Sequence, residues 1–453
     1  MAAYDSLRSD FPNPHPIWLC SFRFNLAQNF CRKEARKSVK PRFALYISSL
    51  AGGGSERAFV NLAQGFVKRG FTDLWLILNR VKGPYLAHLP SEVRVIDLCE
   101  PDVPFRFAYL LRYLSQQHTN SPWLNGAIKA HYIALKGIAY LRKRHLQFLL
   151  LSHLMSLKLA DQLRLIQPDA LLSALINCNL TAILAQRFLN GFKVVASEHN
   201  TPSISLRSQT AAGTVLRMMR CLYPKADRIV AVSQGVADDL IALLNLPPEK
   251  VTVIYNPIVT PELFERAQKP INHPWFEQNR LPVILAVGRL TKQKDYPTLF
   301  RAFSLVRQVR PAKLLILGEG EERANLERLA VELGIQNDVL MPGFVDNPFA
   351  FMSKASVFVL SSAWEGLPTV LVEALACGCP VVATDCRSGP REILDNGRYG
   401  RLVPVGDHEA LAKAILETLD SPDFPADRQT RIQRAMEFSV DAAVDKYLKV
   451  LLD

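Results

Sequence analysis

A chain of 453 residues exceeds what one ordinary core supports, so two domains of similar size are expected. Hydrophobic residues make up 49% of it and charged ones 21%, which excludes a disordered chain and predicts substantial packed cores. The net charge of +12 favours anionic partners such as a phosphorylated ligand, an acidic membrane face or nucleic acid, without choosing among them.

Residues 1–41 read as an N-terminal extension, a solvated tail, and a basic cluster (Arg32, Lys33, Arg36, Lys37, Lys40 and Arg42) stands just before the first expected strand. It lacks the apolar centre of a signal peptide, and no run of about 18 apolar residues follows anywhere, so the chain is expected to stay inside the cell. From Arg42 onward, short runs rich in Val, Ile and Leu alternate with longer helix-like segments. This α/β pattern builds parallel sheets with helices on both faces. The first set of strands is expected at 43–48, 74–78, 93–98, 170–175, 193–197, 228–232 and 251–255, within a domain spanning 42–258. A second set is expected at 282–287, 313–317, 339–341, 356–360 and 380–384, within a domain spanning 282–437. Between them, the stretch around 259–281 holds Pro261, Pro270 and Pro274 and shows no sustained period, so it reads as a linker. Each set is then a doubly wound, Rossmann-like domain, and a ligand is expected in a cleft beyond the carboxyl ends of the strands.

Several strand ends carry residues suited to chemistry. The first is followed by Gly52-Gly53-Gly54-Ser55-Glu56-Arg57 and an apolar-faced helix, a turn that lets backbone approach a ligand closely. The segment 103–160 holds eight basic residues, no Asp or Glu, and interleaved aromatics such as Phe105, Tyr109 and Trp123, which suits contact with an anionic membrane. His199, in Ser197-Glu198-His199-Asn200, stands just past a strand at the cleft edge. After the first strand of the second set, Gly288, Arg289 and Lys294 form a turn with two cations, one a planar fork and one a point charge, that together suit a diphosphate. Gly318, and the pair Phe344 and Val345 after Gly343, can press against a base. The sharpest constellation is Glu365-Gly366-Leu367-Pro368-Thr369, a tight turn into a helix whose N–H groups can meet phosphate, with Glu373 one turn inside it, able to take a ribose diol. The eight cysteines lack zinc spacing and read as reduced thiols, and no Asp-x-Asp stands at a strand end, so no metal is demanded.

Arg289 and Lys294 followed by Glu365 and Glu373 resemble the donor-site signature of the retaining glycosyltransferase family 4, of the GT-B fold. The Gly53-Gly54-Ser55-Glu56-Arg57 turn and His199 match two further features of that family. The resemblance implies two Rossmann-like domains facing across a cleft, with a terminal helix over 438–453 crossing back to the first. It also implies roles: Arg289 and Lys294 on the diphosphate, Glu373 on the ribose, Glu365 and His199 on the sugar, and Val345 or its neighbours on the base. The wording of the motifs is closer to the bacterial branch that builds polysaccharides and lipid-linked glycans. The implied activity is transfer of a hexose or N-acetylhexosamine from a nucleotide diphosphate-sugar, with UDP favoured, to a glycan or lipid-linked acceptor. No cofactor is required and no specific nucleic-acid partner is expected. The implied location is the cytoplasm, peripheral on the inner face of the plasma membrane. A nucleotide-sugar epimerase of the same fold and an inactive partner subunit are the rival readings.

Overall fold

The structure, a computed structural model, describes residues 40–99, 144–208, 211–277 and 281–453. Seven short strands form the first sheet: β1 (Phe43–Ile47), β2 (Leu74–Leu78), β3 (Val93–Asp97), β4 (Ala170–Ala174), β5 (Lys193–Glu198), β6 (Arg228–Ala231) and β7 (Val251–Val253). Six form the second: β8 (Val283–Val287), β9 (Lys313–Leu317), β10 (Val339–Gly343), β11 (Val357–Leu360), β12 (Val381–Thr384) and β13 (Arg401–Val403). The orders are β3-β2-β1-β4-β5-β6-β7 and β10-β9-β8-β11-β12-β13, with parallel pairing in both. Central runs such as Phe-Ala-Leu-Tyr-Ile in β1 are buried along their whole length, as helices on both faces require. Strand order reverses beside β1 and again beside β8, which opens a crevice at the carboxyl edge of each sheet.

Five of the helices matter below: α1 (Gly54–Lys68), α2 (Arg144–Ile166), α3 (Tyr296–Val309), α4 (Thr369–Ala376) and α5 (Val440–Leu452). Helix α1 buries Ala58, Phe59, Leu62, Ala63 and Phe66 on one face. Helix α5 starts on a Ser439 cap and returns to lie on α1, burying Val444, Tyr447 and Leu451. The approach is close, because a Cβ on Gly65 would fall 2.4 Å from Val444 Cγ2. One apolar cluster joins the two halves, holding Leu206 and Val236 of the first together with Leu367 and Leu371 of the second.

Two local features depart from expectation. Strand β13 lies outside the expected set, since three residues beginning with an arginine carry no readable period. The stretch expected to be an irregular linker contains a helix, Pro261–Ala267, capped by Thr260 and started by the very proline that suggests a break. That helix docks beside the second sheet, where Ser353 Oγ donates to Ala267 O at 2.8 Å and Asn347 Nδ2 donates to Arg266 O at 2.9 Å. Arg42, where the first domain is expected to begin, is bonded through Nε to Asp73 at 2.5 Å. Most of the extension before it, and residues 103–143 of the basic aromatic segment, lie outside the described residues. The remainder of that segment lies in α2, which buries Leu159 and Ala160 and leaves Leu149 and Leu151 exposed. Among the described residues no helix is long and apolar enough to cross a membrane.

Candidate active site

The carboxyl ends of β8, β9 and β10 lie against one another through their glycines. Gly288 N donates to Leu317 O at 3.0 Å, and Gly318 N donates to Gly343 O at 2.8 Å. Gly318 has a φ of +152°, and a Cβ there would lie 2.0 Å from Gly288 O, so no larger residue fits. Phe344 stands beyond this ledge, 70% exposed, while Val345 turns partly into the core.

The turn after β8 places Lys294 over Glu365. Lys294 Nζ donates to Glu365 Oε1 at 2.6 Å, with side chains only 16% and 8% exposed. Ser362 Oγ donates to the same oxygen at 2.7 Å, and Gln293 Nε2 reaches Oε2 at 3.2 Å. The backbone of the turn is tied down as well, because Ser361 Oγ donates to Lys294 O at 2.7 Å. Glu365 is thus a well-held carboxylate at the end of β11. Arg289, by contrast, is exposed and forms no ion pair with any described residue.

Helix α4 begins at Thr369 after the Gly366-Leu367-Pro368 turn, with Pro368 extended at its cap position. The Thr369 side chain lies against Gly54 of α1, whose Cβ position would lie 3.2 Å from Thr369 Cγ2. Glu373 is buried to 1% exposure and bonded by Arg57 Nη1 at 2.6 Å across the cleft. The Arg57 guanidinium lies 5.4 Å from the Tyr85 ring centre and 5.8 Å from that of Phe349, one ring from each half.

His199 closes the site from the first sheet. It is 7% exposed, its ring is edge-on to Phe59 at 6.1 Å, and its Nδ1 is buried with no hydrogen-bond partner. Burial pushes the imidazole down to about 4, so it is neutral at ordinary pH. Its backbone is pressed against the second half, since a Cβ on Gly366 would fall 2.2 Å from His199 O. Two hydroxyls stitch the same seam: Thr201 Oγ1 donates to Glu365 O at 2.9 Å and Ser233 Oγ to Gly366 O at 2.9 Å. Behind His199, the side chain of Glu198 is sealed in with Asn179, which donates at 2.7 Å, and with Tyr223. Desolvation lifts that carboxyl to about 7, against the lowering effect of both hydrogen bonds.

Of the residues singled out in the sequence, Gly54, Gly288, Lys294, Gly318, Glu365, Gly366, Thr369, Glu373 and His199 therefore line or abut one cleft between the sheets. Gly53 precedes α1, where Ser55 Oγ holds Glu56 back at 2.7 Å, and Leu367 is buried in the turn. Arg57, Ser362, Gln293, Thr201 and Ser233 received no role from the sequence. Only Arg57 carried a signal, its place in the glycine turn. Among the described residues no group of His, Cys, Asp or Glu side chains is gathered to hold a metal ion.

Two family models cover the chain in succession: "Glycosyltransferase Family 4" over residues 52–261 and "Glycosyl transferases group 1" over 268–436. A Campylobacter jejuni N-acetylgalactosamine-N,N'-diacetylbacillosaminyl-diphospho-undecaprenol 4-alpha-N-acetylgalactosaminyltransferase is 34% identical over 243 residues, 53% of this chain and 64% of its own length. A lipopolysaccharide core biosynthesis glycosyltransferase of Rhizobium meliloti is 35% identical over 38% of this chain and 49% of its own. An uncharacterised glycosyltransferase of Methanocaldococcus jannaschii is 26% identical over 73% of this chain and 90% of its own. The match thus spans about half to two thirds of two of these relatives and most of the third. Among solved structures, sucrose-phosphate synthase from Thermosynechococcus elongatus superposes with a TM-score of 0.69 at 19% identity, covering 91% of this chain and 98% of that one. Anabaena HepE in complex with UDP and glucose does so with a TM-score of 0.66 at 19% identity, covering 91% and 100%. The two facing Rossmann-like sheets are the GT-B arrangement, and the chain belongs to glycosyltransferase family 4.

Proposed function

We propose that this protein transfers a hexose or N-acetylhexosamine from a UDP-sugar to a glycan or lipid-linked acceptor in cell-envelope glycan synthesis, with retention of the anomeric configuration. The observation that supports the reading is the meeting at one seam of the Lys294–Glu365 pair, the start of α4 and the unpartnered Nδ1 of His199. Cations and helix N–H groups aimed at one place stabilise the negative charge that grows on a departing diphosphate, and they do so without reorganising. Arg289 and Lys294 take the diphosphate, Glu373 the ribose, Glu365 and His199 the sugar, and the ledge with Phe344 and Val345 the base.

In the reaction the acceptor oxygen forms a bond to the anomeric carbon on the face from which the diphosphate leaves. The bond to the phosphate oxygen breaks, and the acceptor's proton passes to that oxygen. No carboxylate nucleophile is needed, and neutral His199 serves as a hydrogen-bonding group rather than a base. The reading needs no metal or cofactor.

UDP as the donor nucleotide is supported by the UDP complexes among the structural neighbours, and a diphosphate-linked lipid acceptor by the name of the Campylobacter relative. A peripheral position on the inner face of the plasma membrane is part of the proposal, supported by the net charge of +12 and the acid-free 103–160 segment.

The test is a panel of UDP-, GDP- and ADP-sugars incubated with the purified protein, with and without bacterial lipid extract, following release of nucleoside diphosphate. Release that requires one donor and the lipid supports the proposal. Interconversion of the sugar without lipid would favour an epimerase, and silence throughout would favour a partner subunit.

A further inference from the structure

We infer that Tyr447, on the returning helix α5, and Ser197, in β5, are positioning residues that lock His199 as its Nδ1–H tautomer and so present a hydrogen-bond donor to an oxygen of the bound sugar. The sugar contact rests on the function proposed above; the lock rests on geometry alone. Ser197 Oγ stands 3.1 Å from His199 Nε2 and 3.3 Å from Tyr447 OH, and both Ser197 and Tyr447 are fully buried.

Each hydroxyl has a single hydrogen to place. Tyr447 OH meets no acceptor other than Ser197 among the described residues, so its hydrogen is paired only if it points at Ser197 Oγ. Ser197 must then turn its own hydrogen to His199 Nε2, which accepts it only as the bare nitrogen. The ring hydrogen is left on Nδ1, the buried atom with no partner in the protein. The opposite direction, Nε2–H to Ser197 to Tyr447, strands the phenol hydrogen and still leaves Nδ1 unpaired. Having Nε2 and Tyr447 both donate to Ser197 strands the serine hydrogen instead. Either alternative adds a buried unpaired hydroxyl, which folded proteins avoid. The ring is neutral, as its burial requires, and therefore carries one N–H whose position is a real choice.

The helix that carries Tyr447 is firmly seated. Gly65 of α1 lets Val444 approach, Ser439 caps the start, and Arg69 pairs with Asp441 and Asp445. The return of the chain to the first half thereby has a chemical consequence as well as a packing one: it fixes which edge of a cleft imidazole donates.

The experiment is long-range ¹⁵N–¹H correlation NMR on histidine-labelled full-length protein, with the His199 signal assigned by its loss in His199→Ala. The expected result is an Nδ1–H ring in the wild type that gains Nε2–H character in Tyr447→Phe and in Ser197→Ala, both with retained thermal stability. In turnover, Tyr447→Phe is expected to lower kcat about tenfold, the size of one well-placed hydrogen bond, with the donor KM changed by less than about twofold. An Nε2–H ring in the wild type, or a tautomer indifferent to both substitutions, overturns the lock even in an active enzyme. An Nδ1–H ring that yields to Tyr447→Phe upholds the lock even if no donor is turned over, an outcome that would sink the proposed function instead.

Discussion

Arg57 and Glu373 lie 316 positions apart in the chain and meet at 2.6 Å, the guanidinium at the start of α1 in the first half on the buried carboxylate of α4 in the second. The pair joins the glycine turn after β1 to α4, the two helix starts that face each other across the cleft. Arg57 holds one Glu373 oxygen in place and so fixes the orientation of the carboxylate inside the seam.

Removing one partner of such a pair strands the other. Glu373, whose side chain is only 2% exposed, would be left buried and uncompensated in Arg57→Met, so a loss of about 3 kcal/mol in stability is expected. Glu373→Gln added to it should recover part of that loss. Urea denaturation of the four members of the cycle measures the coupling, and a loss below about 0.5 kcal/mol in Arg57→Met would mean that the contact is loose and solvated.

Gly366 is small because His199 O lies where its side chain would begin, 2.2 Å away. The obstacle is backbone and cannot swing aside. Gly366→Ala should therefore wedge the two halves apart while leaving each sheet intact. The expected outcome is a fall in kcat/KM of about a hundredfold with unchanged circular dichroism. A variant with normal kinetics would show that this seam is not closed during turnover.

The two ionisable neighbours at the end of β5 pull stability in opposite directions with pH. Glu198 is raised to about 7, so the folded state holds a proton that the unfolded state has released. Its contribution is full below the ordinary carboxyl range and is lost as pH rises toward 7 and beyond. His199 is lowered to about 4, so the unfolded state binds the extra proton and stability is lost as pH falls from about 6.5 toward 4. Glu198→Gln removes only the first effect. Its melting temperature relative to the wild type should therefore rise steadily from pH 5 to pH 8, by a free energy on the order of 3 kcal/mol. A difference that stays flat over that range would mean that Glu198 ionises normally inside the fold.

The sheets were legible because buried parallel strands are written as dense runs of Val, Ile and Leu, and β1, β9 and β11 stand within a residue of where those runs lie. Strand β13 escaped because three residues at a sheet edge have no pattern to read. The helix at Pro261–Ala267 escaped because proline reads as a breaker where it serves as a first-turn residue. In the site, the glycine turns, Lys294, Glu365 and Glu373 could be nominated because each follows a strand or opens a helix. Their partners could not. Arg57 finds Glu373, and Tyr447 finds Ser197, only through the way the halves fold together, and separations of 316 and 250 positions leave no local signature. The buried Glu198, Asn179 and Tyr223 network was equally silent, since its members come from two helical segments and a strand with no shared spacing.

The measurement that bears most directly on the central claim is the rate of nucleoside diphosphate release by wild type, Lys294→Ala and Glu373→Gln, each first shown to be folded by thermal melting. If the cleft between the sheets is the donor site, the wild type releases nucleoside diphosphate from a nucleotide-sugar in the presence of acceptor, and both variants lose that release by about a hundredfold or more. Folded variants that release it at the wild-type rate would contradict the site, and the function built on it.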